Sequence, residues 1–378
     1  MKSARFSLAR YSIAGIAAFA AIAVAQVAAA QSAPNYRVVR TVALGAPDRW
    51  DNVVFDAGSH RVYVAHGDRV TVVDGRDGTI VGQVEGFPGG THGVAIAAAA
   101  GHGYSDDGRK GTAGSFDLKT LKIVHTVTAQ EDADAVAFDP KSGHVFVVNG
   151  DPGTLTVIDP KTDTAIATVN VGGKLEYAVA DGRGALYVNG NEKNEIVRVD
   201  TASNQVEAHW PMSTCKGPTG LAIDTQSQRL FSSCRNGVMV VVDATNGHVV
   251  TTLPIGRGTD DAAFDPKRHL AFSSNGIDGT ISIIEEKDAN TFVSAGTVKT
   301  AMSARTMAVD PETGRLYLAA ADIDPNAPAM APPGDAPPGP PPAGVANGPA
   351  GPGGPGGPPR RPPFVPGSLK LLFLDPAP

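Results

Sequence analysis

The chain is predicted to be all-β, a seven-bladed β-propeller with four-stranded blades, and three observations carry the prediction. First, a short apolar strand recurs seven times, at Val54-Phe55-Asp56, Ala95-Ile96-Ala97, Ala137-Phe138-Asp139, Val179-Ala180-Asp181, Ala222-Ile223-Asp224, Ala263-Phe264-Asp265 and Ala308-Val309-Asp310. The terminal residues are 41, 42, 42, 43, 41 and 45 positions apart, the period of a propeller blade. Second, each repeat holds further strand signals, enough for four strands per period. Third, the repeats begin out of phase, in the way a closed ring requires.

Taken in chain order, the N-terminus reads as a leader. Lys2, Arg5 and Arg10 precede an apolar run from Ile13 to Val24, and Ala28-Ala29-Ala30-Gln31 follows. That is the charge, apolar and small-residue order of a secretory signal. Residues 1–30 are therefore expected to be a cleaved signal peptide, and the mature protein to be periplasmic or secreted. The run is short for a membrane span and no stop-transfer charge cluster follows it, so no membrane anchor is expected after cleavage. Cleavage removes three cations and takes the formal charge from −6 to −9. Such an acidic chain lacks the basic footprint of a nucleic-acid binder.

Residues 31–378 are expected to form one domain, the propeller. Tyr36 to Leu44 resembles the last strand of a blade and stands before the first repeat. Within each repeat the first strand (A) is followed by an aromatic-led strand (B). A third strand (C) ends in an acid in each repeat, as in Val72-Val73-Asp74 and Val157-Ile158-Asp159. A β-branched fourth strand (D) such as Ala165 to Val169 completes the set. The last repeat stops at its third strand, Leu369 to Leu374. The N-terminal strand is therefore expected to complete the C-terminal blade, which removes a free sheet edge. Asp139-Pro140, Asp159-Pro160, Asp265-Pro266 and Asp310-Pro311 are expected to be structural turns.

The last repeat carries one large interruption. Residues 322–367, between its strands B and C, are dominated by Pro and Gly, as in Pro337-Pro338-Gly339-Pro340-Pro341-Pro342. Such a segment cannot build a packed core. It is expected to emerge on the face that carries the mouth of the ring, as a solvated insert, a lid or an arm that docks a partner.

The B strands read Tyr63-Val64-Ala65-His66, Phe146-Val147-Val148-Asn149, Tyr187-Val188-Asn189-Gly190 and Phe272-Ser273-Ser274-Asn275. They resemble the Tyr-Val-Thr-Asn motif of the YVTN family of secreted propellers, which includes the YncE-like proteins. The resemblance spans nearly all of residues 31–378 outside the proline insertion. It implies the fold and an exported setting. It leaves activity open, since such propellers serve as binding scaffolds, redox-enzyme subunits, hydrolases or lyases.

Residues that differ between blades are the candidates for function. The start of strand A is expected to point to the central channel, which nominates Asp51, His92, Asp134, Glu176, Thr219, Asp261 and Arg305. The end of strand B nominates His66, Asp107, Asn149, Gly190, Cys234, Asn275 and Ala320. Carboxylates and imidazoles converging from successive blades suit a divalent metal or a small polar molecule. His66, His92, Asp51 and Asp134 are the candidate metal ligands, for zinc, manganese or iron. An oxygen-rich alternative of Glu176, Asn149, Asn189 and Asp134 suits calcium and resembles, in residue type, the cage of gluconolactonase-like propellers. Asn149, Asn189 and Asn275 are candidate substrate contacts.

In a metal-assisted hydrolase (lactonase-like) or a lyase, Glu176 or Asp261 would be the base and Arg305 the anion holder. The alternative is a non-catalytic scaffold or accessory subunit that docks a periplasmic protein partner. Channel histidines and carboxylates that are merely solvated would look the same in sequence. The other histidines, His60, His102, His125, His144, His209, His248 and His269, fall in turns or outer strands and are expected to be solvated. The two cysteines, Cys215 and Cys234, are expected to form a disulfide in an exported protein, with a thiolate metal site as the rival. The sequence holds no Gly-rich phosphate loop, nucleophile elbow or Cys-x-x-Cys pair.

Overall fold

The structure is a computed structural model that describes residues 35–326 and 364–377. The expected leader and most of the Pro/Gly insertion lie outside the described residues. Seven antiparallel four-stranded sheets form the ring of a β-propeller. Blade I consists of Val53–Asp56, Arg61–His66, Arg69–Asp74 and Ile80–Glu85, hydrogen-bonded in that order. Five further blades repeat the order A-B-C-D along the chain.

Blade VII is assembled from both ends of the chain. Strands Thr306–Val309, Leu316–Ala320 and Lys370–Pro376 are completed by the N-terminal strand Tyr36–Ala43, paired from Tyr36↔Pro376 to Ala43↔Lys370. The N-terminal strand thus covers the outer edge of the last sheet, the closure that the out-of-phase start predicts.

Burial along the strands explains the sequence pattern. Strand B is covered on both faces by neighbouring blades, so Arg229–Cys234 is buried at every position, whereas the outer strand Thr164–Asn170 is mostly exposed. A ring near the start of strand B recurs as Tyr63, Tyr104, Phe146, Tyr187, Phe231, Phe272 and Tyr317, each at most 1% exposed. These rings fill the wedges between blades, as Phe231 does when it stacks on Phe264 at 5.1 Å. The Asp that ends strand A closes the following turn. Asp139 accepts from the backbone N–H of Lys141 at 3.2 Å and of Ser142 at 2.9 Å, and Asp265 and Asp310 do the same.

Cys215 and Cys234 form a disulfide with Cα atoms 5.5 Å apart. Both are fully buried, and the bond excludes the rival thiolate metal site. It closes a loop of 19 residues at the inner end of blade V. Replacing both cysteines by serine is expected to lower stability by about 3 kcal/mol. The urea midpoints of the two proteins test this.

The insertion of blade VII leaves the sheet at Ala320 and returns at Lys370. An isolated bridge, Ile323↔Phe364, pinches its base, and Phe364 packs on Trp50 at 5.2 Å.

Candidate functional site

The mouth of the channel is built from one position per blade. Counting five residues back from the end of each A strand gives Asp51, His92, Asp134, Glu176, Thr219, Asp260 and Arg305. All but Arg305 line a narrow central cavity of about 50 Å³. Backbone irregularity aims them there. Ala133 pairs with Asn149 and Ala135 with Val148, so Asp134 has no cross-strand partner. Asp260 is skipped in the same way between Thr259 and Asp261. Such a bulge turns one side chain out of the sheet alternation, here toward the axis.

The blades meet closely behind these residues. The backbone N–H of Asn52 donates to His92 O at 2.9 Å, and Thr306 Oγ1 donates to Asp51 O at 2.7 Å. At Gly93 and Gly220 an added Cβ would lie 2.4 Å from Val136 N and 2.3 Å from the carbonyl carbon of Asp261. Only glycine permits that approach.

Three of the four candidate metal ligands come together. One ligand atom each from Asp51, His92 and Asp134 lies within 4.8 Å of the others. Asp106, absent from the sequence-based candidates, orients the imidazole. Its buried carboxylate is 3.0 Å from His92 Nδ1 and accepts from the backbone N–H of His92 at 3.1 Å. Ala133 O lies 3.3 Å from the same nitrogen. Two acceptors at Nδ1 hold a proton there, which leaves Nε2 as the nitrogen open to a metal that displaces its proton.

The fourth ligand, His66, is a correction. It is fully buried, with Nδ1 2.8 Å from Thr71 Oγ1 and Nε2 2.8 Å from Pro47 O. Because Pro47 O only accepts, Nε2 donates and Nδ1 receives the Thr71 hydroxyl. The ring is neutral and satisfied, and burial lowers its pKa.

Asp261 also departs from the expectation. The mouth position of blade VI is Asp260; Asp261 lies one residue on and turns into the seam between blades. There it accepts from the N–H groups of Ala262 at 2.8 Å and Met307 at 3.0 Å. Burial raises its pKa to about 8 even against those donors. An Asp261→Asn change leaves an oxygen for only one of the two N–H groups. It is expected to cost about 1–3 kcal/mol without altering ligand binding at the mouth, as urea melts and titrations of the variant would show.

The three asparagines are likewise spent inside the blades. Asn149 bonds Thr154 at 3.0 Å and Thr156 at 3.1 Å. Asn275 bonds Thr280 and Ser282. Asn189 donates to Thr219 O and Gly220 O across the seam to blade V. With Asn149 and Asn189 so engaged, the oxygen-rich calcium set is not assembled. The terminal residues of strand B face neighbouring strands, whereas the bulges of strand A face the axis.

Glu176 and Arg305 do stand at the mouth. Glu176 is 3.0 Å from Arg235 Nη2 and accepts from Asn191 at 3.2 Å. Burial still lifts its pKa to about 7, against the pull of Arg235. Burial lifts Asp51 to about 7 against Arg305, and Asp134 to about 7 against His92. For His92 burial acts the other way, but the hydrogen bond and charge of Asp106 outweigh it and carry the imidazole to about 10. Arg305 lies 3.4 Å from Asp260, donates to Trp50 O at 2.8 Å and stacks on the Trp50 ring at 5.5 Å. Trp50 in turn touches the base of the insertion through Phe364.

No protein-family model and no curated protein matches this chain. Among solved structures it is similar to a chain of the mitotic checkpoint complex, at 15% identity over 75% of this chain and 91% of that one, with a TM-score of 0.66. It is also similar to a chain of Kuenenia stuttgartiensis hydrazine synthase, at 12% identity over 72% and 92%, with a TM-score of 0.62. At these identities the likeness is one of fold, the seven-bladed propeller.

Proposed function

We propose that the channel mouth is a binding centre for one divalent cation, held by Asp51, His92 and Asp134, to which a small polar ligand is recruited. The observation that carries this reading is the convergence of three ligand atoms within 4.8 Å, one of them on an imidazole that a buried carboxylate orients. That carboxylate–imidazole pairing is the usual support of a metal-ligating histidine. The cavity of about 50 Å³ has room for an ion and one water, which takes about 30 Å³ in the liquid. An organic ligand would therefore sit above the ion, at the rim.

The mixed nitrogen and oxygen donors favour zinc, manganese or iron over calcium, which takes oxygen ligands. In this reading Arg305 holds an anionic group of the ligand. Glu176, with a pKa of about 7, is matched to general-base work on a cation-bound water. A metal-assisted hydrolase of lactones or esters, or a lyase, uses these parts. The aromatic-led B strands resemble those of YVTN-like exported propellers, and the buried disulfide suits an oxidising compartment.

The test is elemental analysis of the untagged protein after dialysis against zinc, manganese, iron and calcium in turn, followed by a lactone and ester screen of any loaded form. One equivalent that depends on His92 supports the reading, and no His92-dependent metal under any condition sinks it.

The scaffold reading is favoured by a different observation. The base of the insertion rests on Trp50, which also holds Arg305, so a protein docked on the arm would stand beside the mouth. Deleting residues 332–363 should then abolish partner capture while cation binding persists.

A further inference from the structure

We propose a second divalent-cation site, independent of the mouth, at the outer end of the seam between blades V and VI, where Asp224, His269 and Glu286 hold a zinc-class ion. Asp224 ends strand A of blade V, His269 sits in the A–B turn of blade VI, and Glu286 lies in the long strand Thr280–Asp288. One ligand atom of each lies within 4.8 Å of the others. They border a cavity of about 260 Å³ that Gln226, Ser227, Lys287, Asp288 and Ala289 also line. Open space there leaves room for waters or an anion to complete a coordination shell.

Glu286 is the residue that asks for a ligand. It is only 6% exposed, yet its Oε2 has no hydrogen-bond partner. A buried carboxylate oxygen without a donor is costly. The internal repeat shows what normally stands there. Between blades III and IV the equivalent Asp139 accepts a hydrogen bond from Thr201 Oγ1 at 2.6 Å, across 62 residues. Glu286 stands the same 62 residues beyond Asp224, so an acceptor replaces the hydroxyl donor.

Two acids face each other where an acid and a donor belong. Asp224 already accepts from the N–H groups of Gln226 at 2.8 Å and Ser227 at 3.3 Å, which leaves lone pairs free on both oxygens. Neighbouring cations are directed elsewhere. Arg229 bonds Ala289 O and pairs with Asp243, and Lys287 pairs with Glu285. A shared proton or a metal ion would join the carboxyls, and the Ser227 hydroxyl, itself without a partner, lines the same cavity.

The imidazole decides between proton and metal. His269 is exposed and sits at a φ of +54°, in a turn position that is glycine in several other blades. It presents a nitrogen beside the two carboxylates, a donor set that suits zinc better than calcium.

The test is a zinc titration by calorimetry in a His92→Ala/Asp134→Asn background, which silences the mouth. One equivalent should remain, and Glu286→Gln and His269→Gly should each weaken it at least about tenfold. His269→Gly is the safer variant, because glycine is at ease at that φ. Should the background protein fold poorly, His269→Gly alone should remove one of two equivalents from the otherwise unaltered chain. No His92-independent equivalent, or one that neither change weakens, overturns the proposal and leaves a shared proton. Weakening by Glu286→Gln but not His269→Gly overturns the zinc assignment. Failure at the mouth removes only the His92-dependent equivalent, so the two readings fail separately.

Discussion

Replacing His92 by alanine is expected to weaken cation binding at the mouth by about 100-fold, the scale on which even the supporting partners of a metal ligand act. Asp134→Asn should have a similar effect, since each removes one of three ligands. Asp106→Asn should weaken binding by about tenfold, because the imidazole would keep its place and lose the group that fixes its tautomer. His66→Ala should leave affinity unchanged, its two nitrogens being committed to Thr71 and Pro47. Calorimetric titration of the four variants gives the ranking. A His66 effect equal to that of His92, or no effect of His92, would place the ion elsewhere.

The second large effect is on stability against pH in the metal-free protein. Asp51, Asp134 and Glu176 have folded-state pKa values raised to about 7, and Asp261 to about 8. The folded protein keeps protons that the unfolded chain releases near pH 4, so stability falls as pH rises from about 4 to 8. His92, raised to about 10, adds to the same trend. Its contribution is complete below about pH 6.5 and is lost as pH climbs toward 10.

A carboxyl moved from 3.8 to about 7 represents about 4 kcal/mol when dry, and water at the mouth brings this nearer about 2 kcal/mol. The mouth groups share charge, so the total drop between pH 5 and pH 9 is expected to be roughly 4 kcal/mol. Surface acids run the opposite way. Asp74, lowered to about 2 by its hydrogen bond with Arg76, and Asp375, lowered by Arg315, withdraw stability only below about pH 4. Thermal melts in chelator should therefore peak between about pH 4 and 6. Added zinc should restore stability most at pH 8, where it replaces protons in the cluster. A flat profile, or one that rises toward pH 9, would contradict the buried mouth charges.

The sequence alone determined the ring. Seven A strands at a near-constant period, seven aromatic-led B strands and a first strand out of phase leave little freedom, because each blade must bury both faces against its neighbours. The same constancy carried most of the mouth. Five residues before the end of strand A lie Asp51, His92, Asp134, Glu176 and Arg305, all of which stand around the channel. Counting that offset in blade VI gives Asp260, which the adjacent acid Asp261 obscured. With one residue bulged from the ladder, neighbouring positions face different surroundings, and composition does not distinguish two aspartates in a row.

What the tertiary structure decided was who is whose partner. His66, Asn149, Asn189 and Asn275 are polar residues near the inner ends of strands, and only the folded blades show their hydrogen bonds already made. Asp106 acts on His92 across 14 residues, and Glu286 meets Asp224 across a blade seam. His269, in a turn that sequence reasoning assigns to solvent, is exposed as expected, and only the fold brings it within 4.8 Å of them. Local pattern places a side chain on a face of its strand. Which donor or acceptor meets it there depends on the neighbouring blade, and that is set only when the ring closes.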